Sequence, residues 1–135
     1  MDVRQYADLF LSESRDHLTA YNHLVLEWEK APDSREAVGG IFRAVHTIKG
    51  MAATMGYAGV ADLSHRIENL LDLLRKGERE ATPATLDLLL RAGDALEAGI
   101  AAAVGGSGEP APEALLAEID RVWTRLAMQR EICSA

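Results

Sequence analysis

The sequence predicts an all-α fold, an antiparallel (up-down-up-down) four-helix bundle with an additional C-terminal fifth helix. Three observations carry this expectation. Apolar residues recur at alternating spacings of three and four in five separate segments, the period of a helix with one buried face. Hydrophobic residues fill 48% of the 135 positions but aromatics only 5%, which favours an aliphatic helical core over a β-sandwich. The connections between the first four segments hold only a few residues, so consecutive helices must reverse direction.

The first helix is expected from Asp2, a good N-cap, to Lys30, with Val3, Ala7, Phe10, Leu18, Tyr21, Leu24, Val25 and Trp28 on its apolar side. Pro32, Asp33 and Ser34 end it and cap the next helix, which runs to Met55. Val38, Ile41, Val45, Ile48, Ala52 and Met55 form the seam of that second helix. Gly39 and Gly40 each cost about 1 kcal/mol in an exposed helix interior, so a packing or docking reason should offset them. Gly56 suits the left-handed C-terminal position, with Tyr57 tucked back onto the bundle.

The third helix is expected over 58–76, with Val60, Leu63, Ile67, Leu70 and Leu74 as seam and Gly77 as terminator. Thr82 and Pro83 pair as N-cap and first residue of the fourth, because proline lacks only an amide that had no helical partner. Its seam is Leu86, Leu89, Gly93, Leu96, Ile100 and Ala103. Residues 1–104 thus form the bundle and 105–112 (GGSGEPAP) a Gly/Pro-rich linker. Residues 113–135 hold the fifth helix, over about 113–131, with Leu115, Ile119, Val122, Trp123 and Leu126 as its apolar positions.

Charge and composition exclude several function classes. The net charge of −7, from 14 basic and 21 acidic residues, opposes binding to a phosphate backbone, so nucleic acid is not an expected partner. No stretch approaches the ~20 apolar residues that span a bilayer, and no signal peptide opens the chain; no membrane is expected. A lone cysteine, Cys133, allows neither an intrachain disulfide nor a multi-cysteine zinc site, and fits a cytoplasmic location. His17 and His23 lack metal-binding spacing, and the single His65-x-x-Glu68 reverses the order used by di-iron bundles, so no metal site is expected. There is no glycine-rich phosphate loop between strand and helix to hold ATP.

The chemistry concentrates on HTIKGMAATMGY, residues 46–57. At 100° per residue His46 lies roughly 130° from the centre of the apolar stripe, in a second row with Gly39, Arg43, Gly50 and Ala53. It therefore faces water, flanked one turn away by Arg43, Lys49 and Gly50. A nucleophilic histidine needs a fixed tautomer, which requires a partner on the opposite ring nitrogen. Among His65, Glu68 and Asp72 on the polar side of the third helix, Glu68 is nearest its seam and hence the second helix. Lys49 could bring its ammonium to transferred phosphoryl oxygens. Gly50, without a side chain, would let a docked protein approach His46, and a bulky residue there should slow transfer without disturbing the fold.

This run resembles the phosphorylation motif of histidine phosphotransfer (HPt) domains, and Met51 after Lys-Gly makes it most similar to the N-terminal domain of CheA-type chemotaxis kinases. The likeness is dense over 46–57 and extends loosely from the N-terminus to about Val104. It implies that His46 is phosphorylated by a CheA-type kinase core using ATP and passes the phosphoryl group to an aspartate of a response-regulator receiver domain, CheY- or CheB-like. It implies that Glu68 hydrogen-bonds His46, that His65 modulates the site, and that Arg43, Gly50 and Ala53 belong to the receiver docking surface. ATP and Mg would be bound by a kinase domain elsewhere, with no cofactor in this domain. The chain would be no enzyme by itself, and a monomer. Rival expectations are a stand-alone phosphorelay shuttle and a helical adaptor without chemistry.

Overall fold

The computed structural model describes residues 2–76, 82–107 and 112–134, with side chains as far as 129. Five helices follow in order: α1 (Val3–Lys30), α2 (Arg35–Met55), α3 (Ala58–Lys76), α4 (Pro83–Gly105) and α5 (Glu113–Ser134). α1 packs on α2 and α4, and α3 on α2 and α4, so the first four close a square whose diagonal pairs, α1 with α3 and α2 with α4, stand further apart than its sides among the described residues. α5 lies outside the square, against α3 and, more lightly, α4.

Local chemistry explains each boundary. Asp2 caps α1 through a reciprocal box with Gln5, each side chain bonding the other's backbone amide at 2.9 Å. Ser34 and Thr82 cap α2 and α4 by accepting from Ala37 N and Thr85 N, each cap worth ~1 kcal/mol. Gly56 ends α2 at φ 76°, a conformation that a side chain would strain. Tyr57 then folds back edge-on against Phe10, with ring centroids 5.2 Å apart. Gly77 and residues 108–111 of the expected linker lie outside the described residues.

The seams of α2, α3 and α4 are buried at nearly every expected position; Met55 and Ala103 are only half-buried, at the helix ends. Each enclosed Ile or Leu contributes about 1.5–3 kcal/mol relative to exposure. Gly40 is explained by packing: a Cβ there would stand 2.7 Å from Leu24 Cδ1 of α1. Along one side of the square, the Tyr21 hydroxyl donates to the Leu89 carbonyl and ties α1 to α4. Burial, with Asp94 nearby, pushes that phenol well above its ordinary pKa, so it stays a donor.

Five sequence expectations need correction. Val3 is exposed, because it sits in the first turn of α1 beyond the end of the core, while Ser14, not expected inside, is enclosed on the α1 seam. α4 runs one residue past 104 to Gly105 and ends at Gly106, φ 71°. α5 continues past 131 to Ser134. Trp123 is 40% exposed: among the described side chains of α5 only Ile119 is fully buried, and Trp123 lies one helical position off the row that meets α3. Among the described residues no helix is long and apolar enough to cross a membrane.

Candidate phosphotransfer site

The two-residue connection between α2 and α3 sets the register of the site. In an antiparallel helix pair, residues equally far from the turn stand level with each other. His46 and Glu68 each lie 11 positions from Tyr57. Glu68 faces α2 from the border of the α3 seam, and its carboxylate meets two side chains of α2 at once. Oε2 stands 2.8 Å from His46 Nδ1, and Oε1 accepts from Lys49 Nζ at 2.8 Å.

Burial differs sharply across this cluster. The His46 side chain is 61% exposed, whereas Glu68 is 13% and Lys49 27% exposed. Burial pushes the Glu68 carboxyl up, but its hydrogen bonds to Lys49 and His46 outweigh that and hold it below the ordinary glutamate range. An ionised carboxylate can only accept, so the Nδ1 of His46 must carry the hydrogen of this bond. The neutral imidazole then keeps a free lone pair on Nε2. Chemically, the arrangement is suited to present a ring nitrogen of defined tautomer on a side chain open to solvent.

The other predicted residues fall into place unevenly. Lys49 is engaged by Glu68, because a mostly enclosed carboxylate lies within hydrogen-bonding reach of its ammonium, which keeps two further N–H groups on a side chain 27% exposed. His65 does not join the cluster: its Nε2 meets Asn69 Nδ2 at 3.4 Å. It stands level with Lys49, eight positions from Tyr57, and an α3 side chain leans further toward the helix N-terminus, away from Glu68. Gly50 and Ala53 are exposed, and a Cβ at Gly50 would meet nothing within 4 Å. Arg43 is exposed, with its guanidinium turned back along α2 so that a Cβ at Gly39 would lie 3.4 Å from Nη1. Among the described residues, no group of three or more histidine, cysteine and carboxylate residues could hold a metal ion.

Sequence reasoning missed two neighbours. Phe42, one turn before His46, holds its ring within 8° of parallel to the imidazole at a centroid distance of 6.1 Å. Beyond Gly50, an apolar groove of about 280 Å³ opens between α2 and the exposed Tyr6 and Leu9 of α1, floored by Met51 and Met55. Tyr6 lies just before the first buried position of α1, Ala7, and Leu9 between Ala7 and Phe10, and their helical spacing of three was the available signal.

The Hpt domain family model matches residues 5–125. The chain is 44% identical over 121 residues to the chemotaxis protein CheA of Bacillus subtilis, a match covering 89% of this chain and 18% of that protein. It is 39% identical over 93 residues to CheA of Halobacterium salinarum, covering 69% and 14%. The chain therefore spans less than a fifth of the length of these relatives. Among solved structures it resembles the phosphorylated P1 domain of CheA3 in complex with CheY6 from R. sphaeroides, with TM-score 0.79, 25% identity, and 93% and 98% of the two chains covered. It also resembles the CheA phosphotransferase domain from Thermotoga maritima, with TM-score 0.72, 36% identity, and coverage of 77% and 99%. With a family match over most of its length and its cluster built on an exposed histidine, the chain belongs to the Hpt domain family.

Proposed function

We propose that this chain is the phosphoacceptor domain of a CheA-type chemotaxis kinase and that His46 is the residue phosphorylated. The observation that carries this reading is the His46–Glu68 contact at 2.8 Å on a ring otherwise open to solvent. A kinase domain elsewhere, holding ATP and Mg, presents the γ-phosphoryl group. Nε2 attacks phosphorus as the bond to the β-phosphate oxygen breaks, releasing ADP. The proton on Nδ1 stays, so the ring becomes cationic, and the Glu68 carboxylate stabilises that charge where it forms. Lys49 holds Glu68 in place against its other oxygen. In the second transfer a receiver aspartate attacks the same phosphorus and the N–P bond breaks, returning a neutral imidazole.

The likeness to a P1 domain solved with CheY6 supports a response-regulator receiver as the acceptor. The open row of Gly50 and Ala53 and the adjoining apolar groove offer that partner an unobstructed approach to Nε2. The domain acts as a monomeric unit in the cytoplasm, its catalytic machinery being supplied by other domains or proteins.

The test is incubation with a CheA-type kinase core and ATP, followed by mass analysis before and after brief acid treatment. A gain of one phosphoryl group that acid removes and base leaves, absent in His46→Gln at an unchanged thermal midpoint, is the expected outcome. Labelling that survives in His46→Gln, or none from a core that labels its own phosphoacceptor domain and several others, overturns the assignment.

A further inference from the structure

Glu68 fixes one atom of the His46 ring. With the ring tethered through Cβ and by one hydrogen bond at Nδ1, small coupled turns about χ1 and χ2 can still tilt its plane, and that tilt moves Nε2, the atom that must meet phosphorus in line. The structure contains a second constraint on the same ring. Phe42 lies one turn before His46 on α2, and helical side chains lean toward the N-terminus, so the imidazole rests over the Phe42 turn. The two ring planes agree within 8° at 6.1 Å, an offset parallel arrangement.

Phe42 is itself held from α3. It stands level with Asp72, each 15 positions from Tyr57. Arg75, one turn further on, leans back and sets its guanidinium 4.2 Å from the Phe42 ring centroid. Asp72 Oδ1 anchors that guanidinium through Arg75 Nη2 at 2.8 Å, and Asp72 Oδ2 takes Lys76 at 2.9 Å. A run of neighbouring groups thus passes from the last turn of α3, through Phe42, to the near-parallel ring of His46. Phe42 is partly buried against the core, so it cannot follow the imidazole outward.

We infer that Phe42, steadied by Arg75, is a positioning residue that fixes the plane of the His46 imidazole, while Glu68 fixes its tautomer. This rests on the phosphoacceptor role of His46, and it adds residues that act through the ring and not on phosphorus. Loss of the flat ring at 42 should loosen the imidazole without changing which nitrogen carries the proton. The transfer rate should fall while the affinity for the kinase core stays.

The experiment uses the full chain as Phe42→Leu, Phe42→Tyr and Arg75→Gln. Carbon-13 relaxation of the His46 ring reports its order, and nitrogen-15 shifts report its tautomer. Rates are read twice, with saturating kinase core and ATP and with phosphoramidate, a small phosphoryl donor that needs no docking. Phe42→Leu should lower ring order at an unchanged tautomer and slow both reactions about fivefold to tenfold, with KM for the kinase core unchanged. Phe42→Tyr should restore both readouts, and Arg75→Gln, on the surface, should give about a twofold loss. Wild-type ring order in Phe42→Leu overturns the inference, as does a loss confined to KM or one that Phe42→Tyr fails to restore. Should Phe42→Leu not fold, Arg75→Gln decides alone, and unchanged ring order there overturns the inference. If the wild type accepts no phosphoryl group, the functional reading falls, and the relaxation data still decide whether Phe42 holds the ring.

Discussion

The His46 cluster and the seat of α5 are built from the same parts and behave differently. In both, a cation and a carboxylate from different helices meet at hydrogen-bonding distance. At the cluster the carboxylate is nearly enclosed and both its oxygens are engaged across the α2–α3 interface. At the seat, Arg91 of α4 grips both oxygens of Glu118, and Arg66 of α3 reaches Asp120, but these side chains are between about a third and a half exposed, the carboxylates at 35% and 53% against 13% for Glu68. Only Ile119, between them, is fully buried. Enclosure decides what such a pair can do. An enclosed carboxylate with two fixed donors holds a ring in one tautomer, whereas exposed pairs are screened and add register more than strength.

The largest expected effect comes from taking the charge out of the enclosed site. Glu68→Gln should slow phosphorylation of His46 about a hundredfold, because the amide neither enforces one tautomer nor stabilises the cationic ring. Its effect on stability has a defined sign. The folded carboxyl is held below its ordinary value, so its contribution is complete above the unfolded pKa and disappears as pH falls through the lowered folded one. Thermal midpoints followed from about pH 6 to about pH 3 should therefore fall less in Glu68→Gln than in the wild type. A wild-type phosphorylation rate in this variant would erase the distinction between the two regions.

At the seat, the apolar contact should dominate. Ile119→Ala should weaken the docking of α5 by about 2 kcal/mol, read as faster amide exchange along α5, and leave phosphorylation within about twofold of wild type. The smallest effect belongs to the exposed charges. Arg91→Gln should speed α5 exchange by about fivefold at most in low salt and by nothing measurable near 1 M salt. The ring order of His46 should ignore salt throughout. A salt-sensitive ring, or an α5 released by Arg91→Gln as fully as by Ile119→Ala, would show that enclosure is not the deciding variable.

The bundle was legible because its signals are local. α3 begins and ends where the spacing of Val60, Leu63, Ile67, Leu70 and Leu74 places it, and Gly56, Ser34, Thr82 and Pro83 mark boundaries by their own backbone chemistry. Ser14 escaped because a small hydroxyl residue on a seam reads as polar, although it continues the four-residue steps from Phe10 to Leu18. Trp123 failed for the opposite reason, since composition favours burial where α5 meets only one flank of the bundle. At the site, the row containing His46 and the choice of Glu68 followed from helix geometry. The engagement of Lys49 by Glu68, the turning of His65 toward Asn69, and the Arg75–Phe42–His46 contacts depend on rotamers across two helices. Periodicity along one helix carries no information about those choices.

The two-residue turn at Gly56 and Tyr57 makes length itself a functional constraint. His46 and Glu68 meet because equal lengths of helix lead to and from that turn. A residue inserted into either arm would carry one partner about 100° around its axis and 1.5 Å along it, which parts them even if every side chain is retained. The stretch from Phe42 to Arg75 can therefore exchange residues far more readily than it can gain or lose one.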